Sequence, residues 1–86
     1  MAKRLSWAVM LERAGKRGKF TQIERDYASS WMTCAVSERH HWSIDVEHMD
    51  EWYETREYEA GIEFLRAVND DDIPAAKRLY AEIMAL

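Results

Sequence analysis

The sequence predicts an all-α fold: a compact four-helix domain over residues 1–86 with a C-terminal antiparallel helical hairpin. Three observations point there. Thr21 followed by Glu24 forms a capping box, in which the hydroxyl accepts from a free backbone N–H and the carboxylate reaches back to the cap. The run Asn69-Asp70-Asp71-Asp72 precedes Pro74, which suits the first turn of a helix because its missing N–H costs nothing there. Apolar residues recur at helical spacing, and three glycines and one proline are too few for a turn-rich β fold.

The first helix is expected over residues 3–14. Leu5, Trp7, Ala8, Val9, Met10 and Leu11 form a nearly unbroken apolar run, and Ala8, Met10, Leu11 and Glu12 favour helix over strand. Gly15-Lys16-Arg17-Gly18 reads as its stop. Trp7 and Trp42 fit poorly into one small core. The second helix follows Thr21, with Phe20 placed to staple its first turn. Ile23, Tyr27, Trp31, Cys34 and Ala35 share its inner face.

Residues 37–44 admit helix, loop or a short alternating strand. The preferred reading has Ser43 capping a new helix, with Asp45 and Glu47 in its first turn. That third helix is expected from about 44 to 68. Val46, Met49, Tyr53, Ala60, Phe64 and Ala67 form its main stripe. Tyr58, Ile62 and Leu65 form a second apolar face, so the C-terminal half should be contacted from two sides, with Gly61 allowing close approach. The fourth helix turns Ile73, Ala76, Leu79, Tyr80, Ile83 and Met84 inward. The expected core residues are Ile23, Trp31, Tyr53, Phe64, Leu79 and Ile83.

An 86-residue chain supports one domain with a thin core, burying roughly 60–65% of its unfolded surface. No apolar run approaches a membrane span, so no membrane association is expected. The basic start gives way to Glu12 and Arg13 without a cleavage site, which argues against a secretory signal. The single Cys34 allows no internal disulfide. These features point to the cytoplasm.

The net charge of −4 hides an asymmetry. Residues 1–20 carry six Lys or Arg against one acid, whereas residues 38–72 carry twelve Asp or Glu against three arginines. Either pole can be a solvated face. Alternatively, one pole steers a charged partner, or opposite poles join in a homo-oligomer.

No residue pattern marks a catalytic centre, and no enzyme activity or cofactor is expected. Cys34 reads as a buried core thiol, inert without an electropositive, open setting. Glu38, His41, Asp45 and His48 repeat an acid-x-x-His spacing that suits zinc or iron on one continuous helix. A helix break at Ser43 would disperse them, so metal binding is an alternative only. Arg13, Lys16, Arg17 and Lys19, around two glycines, offer phosphate contacts, and a small nucleic-acid-binding regulator is a further alternative. The overall acidity opposes it.

The main expectation is a small module for protein–protein interaction. Four Trp and four Tyr exceed what a small core needs, and exposed aromatics anchor interfaces. Trp52 is the expected anchor, with Asp45, Glu47, Glu51, Glu54, Glu59 and Glu63 as an acidic rim that meets a partner's basic surface. By analogy of size and charge with small phage and mobile-element proteins, the module is expected to act as an inhibitor. Its carboxylates would occupy the phosphate sites of a nucleic-acid-binding protein.

Overall fold

A computed structural model describes residues 6–29, 35 and 49–86. It is compact and all-α, and no strand occurs among the described residues. The helices are α1 (Trp7–Arg17), α2 (Gln22–Ser29), α3 (Arg56–Asn69) and α4 (Ile73–Ala85). A single helical turn, Met49–Trp52, precedes α3. The antiparallel pair α3–α4 is the most extensive contact; α1 packs on α4 and α2 on α3.

Ser6 caps α1, its hydroxyl accepting from the Val9 N–H at 3.4 Å. Trp7, Met10, Leu11 and Ala14 then recur one turn apart and face the core. The helix runs past Gly15, contrary to the expected stop, and ends at Gly18. That glycine holds φ 83°, in the left-handed region, and donates to the Ala14 carbonyl at 2.8 Å. Lys16 and Arg17 in the last turn complement the carbonyl end of the helix. Trp7, read from sequence as surplus to one core, is fully buried. Its ring meets Phe64 edge-on at 5.0 Å and Tyr27 at 5.7 Å.

The capping box at Thr21 forms. Thr21 Oγ1 accepts from the Glu24 N–H at 3.1 Å, and Glu24 Oε1 accepts from the Thr21 N–H at 2.8 Å. Arg17 donates to the same Glu24 oxygen at 2.5 Å. This second bond turns Glu24 inward and places Ala28, one turn on, in the core. Ile23, next to Glu24 around the helix, therefore points outward and is 80% exposed, which corrects its assignment to the core. Tyr27 is half-buried against the core. Phe20 is buried, but the residue one helical turn beyond the cap is Arg25, so no apolar staple forms there.

The single long helix expected over 44–68 is broken at Tyr53–Thr55. Thr55 adopts extended backbone, accepts from the Tyr58 N–H at 3.3 Å and donates its hydroxyl to the Trp52 carbonyl at 2.6 Å. A Thr that satisfies backbone groups on both sides favours a new helix start over a continuous helix. Ala60, Gly61, Phe64, Ala67 and Val68 line the inner face of α3. Tyr53, placed before this restart, is 47% exposed and not core.

At the hairpin turn Asp71 takes φ 56°, and Asp72 caps α4 by accepting from the Ala75 N–H at 3.3 Å. Pro74 sits in the first turn as expected. Ile73, Ala76, Leu79 and Ile83 are buried, Tyr80 is half-buried, and Met84 lies exposed near the chain end. Trp31, Cys34, Trp42, Ser43 and the expected start of the third helix lie outside the described residues.

Candidate partner-docking face

Glu51, Trp52 and Glu54, three of the residues expected to bind a partner, lie around the break before α3. There the chain ends a helical turn, reverses through Tyr53 and Glu54, and restarts at Thr55. The Glu54 N–H donates to the Glu51 carbonyl at 3.2 Å, and the Thr55 N–H donates to the Trp52 carbonyl at 2.9 Å. The reversal gathers three rings. Trp52, Tyr53 and Tyr58 lie with centroids 4.9–5.6 Å apart, and the Tyr53–Tyr58 and Trp52–Tyr58 pairs are edge-to-face, a favourable arrangement for aromatic rings.

Within the trio the roles differ. Trp52 is half-buried, packs on the core and donates its indole N–H to Glu57 Oε1 at 2.6 Å, and Glu57 is itself buried. Trp52 is thus the floor of the cluster, and Tyr53 is the ring that reaches solvent. Trp52 stands out in the sequence as the anchor because exposure is not legible there without the break. The Thr55 hydroxyl was the available signal for it.

Glu51, Glu54, Glu59 and Glu63 are all exposed. Glu59 and Glu63 are drawn together by Arg56, at 3.6 and 3.2 Å. The same guanidinium holds both oxygens of Glu82 on α4. Arg56 is therefore an ionic hub across the open end of the hairpin. Its hydrogen bonds to Glu82 raise its pKa above the ordinary arginine value, and the reverse effect lowers that of Glu82. Glu82 was missed from sequence, although an antiparallel hairpin brings the start of α3 near the end of α4. Asp45 and Glu47 lie outside the described residues.

The basic pole fares differently. Arg17 is taken up by Glu24, and Lys16 lies 3.8 Å from Glu12. Asp71 reaches in from the α3–α4 turn, accepting from the Phe20 N–H at 2.9 Å and from Arg25 at 2.5 Å. Arg25 first, then the Phe20 N–H, hold the Asp71 carboxyl below its usual pKa, and Lys19 adds to the effect. Acid thus folds back onto base, and the charge asymmetry along the chain is reduced in space at this end. Arg13 and Lys19 remain exposed.

Cys34, Glu38, His41 and His48 lie outside the described residues with Asp45, so the metal stripe is not placed. No helix among the described residues is long and apolar enough to cross a membrane. Compared with known proteins, the chain matches no family model, no curated protein and no solved structure.

Proposed function

We propose that this chain acts by protein–protein contact, docking the acidic, aromatic face at the start of α3 onto a basic surface of its partner. The observation that carries this reading is Tyr53. It stands exposed on the Trp52–Tyr58 floor, with the exposed carboxylates of Glu51 and Glu54 beside it. An exposed aromatic on a rigid base supplies contact area at low entropic cost, and surrounding charge steers approach. Glu59 and Glu63 extend the acidic rim along α3, with Arg56 fixing their position. A nucleic-acid-binding protein is the partner class that suits the rim, because carboxylates there would meet the cations that otherwise hold phosphates. The pairing of Arg17, one of the four cations of the basic segment, with Glu24 favours this reading over direct binding of nucleic acid.

The test is capture of the partner on immobilised protein, followed by association kinetics with the purified pair. Binding is expected to weaken with salt. Tyr53→Ala is expected to raise the dissociation rate, and Glu51→Lys with Glu54→Lys to slow association. Unchanged kinetics in these folded variants would make the face an ordinary solvated surface.

A further inference from the structure

Beyond a foreign partner, the outer face of α3 carries the chemistry to bind its own copy. The buried residues Ala60, Phe64 and Ala67 define the inner side of the helix. On the opposite side Tyr58, Ile62 and Arg66 recur at four-residue spacing beside Glu59 and Glu63, and these five side chains line an open groove of about 300 Å³. Tyr58 and Ile62 are half-buried, so the floor is apolar, whereas Glu59, Glu63 and Arg66 are exposed at its margins. Arg56 is engaged by three carboxylates. Arg66, in contrast, has no carboxylate within ion-pair distance among the described residues.

We propose that this groove is a self-docking surface, in which α3 of a second copy lies antiparallel across it with the two Ile62 side chains at the crossing. The register is what commits the groove to a second copy. Tyr58 and Arg66 lie four residues on either side of Ile62, about 6 Å along the axis in each direction. Reversing one helix about Ile62 therefore sets Arg66 of each copy beside Tyr58 and Glu59 of the other. Each guanidinium gains a carboxylate and an aromatic face, and the arrangement closes on itself as a two-fold pair. Glu63 of the two copies would approach near the crossing, and Arg56 in each chain offsets that repulsion. One helix face is a small interface, so the dimer is weak and reversible.

Sedimentation equilibrium of the whole chain up to millimolar concentration tests this directly. The wild type is expected to show a monomer–dimer equilibrium. Arg66→Glu alone and Glu59→Arg alone are each expected to weaken it about tenfold, through loss of two symmetric ion pairs. An equimolar mixture of the two variants is expected to associate again, because each chain then offers the charge that the other lacks. Tyr58, Glu59 and Glu63 are shared with the partner-docking face, so the readings are separated by Arg66→Glu, which is expected to weaken self-association and to leave partner binding through Tyr53, Glu51 and Glu54 unchanged. Both substituted positions are exposed, and melting curves verify that the variants are folded. A wild type that stays monomeric throughout, an Arg66→Glu chain that dimerises as well as wild type, or a mixture that fails to re-associate would each overturn the proposal.

Discussion

Trp7 and Ile23 reverse the roles that hydrophobicity alone would give them. Trp7 is enclosed by Phe64 and Tyr27, so truncation leaves a large void. Trp7→Ala is expected to cost about 3–5 kcal/mol, a large share of the stability of a small domain. Ile23→Ala, at an exposed position, is expected to stay within about 0.5 kcal/mol of wild type. Denaturant midpoints of the two variants measure both, and equal losses would contradict the burial described above. The exposure of Ile23 follows from the capping box. Once Glu24 turns inward to meet Arg17 and the Thr21 N–H, its neighbour must face water.

At the scale of the element, Gly15 inside α1 and Gly18 at its C-cap are opposite cases. Gly15 sits inside the helix, and a Cβ there would crowd only the flexible end of Lys77, 3.0 Å from its Nζ and free to shift, while meeting Ile73 Cγ2 at an ordinary 3.9 Å. Gly15→Ala is expected to stabilise the protein by up to about 1 kcal/mol, since glycine is a poor helix residue. Gly18 has open space around it but a positive φ, so Gly18→Ala is expected to destabilise by about 1 kcal/mol. Thermal melts of the pair should move in opposite directions. Local caps and apolar periodicity were legible in the sequence: the Thr21–Glu24 box, Pro74 in the first turn of α4, and the inner positions Ala60, Phe64, Ala67, Ile73, Ala76, Leu79 and Ile83, whereas Tyr53 and Met84, read as parts of the same stripes, are exposed. Which of two nearby glycines ends α1 depends on backbone conformation, and both readings fit the composition. The break at Tyr53–Thr55 was hidden because the apolar stripe continues through it, while the Thr55 hydroxyl decides locally against it.

For the molecule as a whole, the fold class and the hairpin were legible, but the pairing of charges was not. Asp71 meets Phe20 and Arg25 from 51 and 46 positions away, and no local pattern announces such a contact. The same holds for the candidate face. Its carboxylates were evident, whereas the hub that connects them to α4 needed the hairpin register. Asp71 also makes stability depend on pH. Its folded-state pKa lies below the ordinary value of 3.8, so its contribution is complete above that value and is lost as pH falls through and below it. Asp71→Asn keeps the shape but removes the charge. Its melting midpoint is therefore expected to fall below that of wild type at neutral pH, and the gap is expected to close below about pH 4. A gap that stays constant down to pH 2 would mean that the carboxylate charge contributes nothing.

The bond between Asp71 and the Phe20 N–H also bears on the order in which the molecule assembles. The α3–α4 hairpin consists of contacts close in sequence. The Asp71 joint requires closing a loop of about fifty residues, a cost met before any contact rewards it. Such a joint is expected to close after the hairpin on the folding path. Asp71→Asn is therefore expected to leave the folding rate nearly unchanged and to raise the unfolding rate, as read by stopped-flow kinetics.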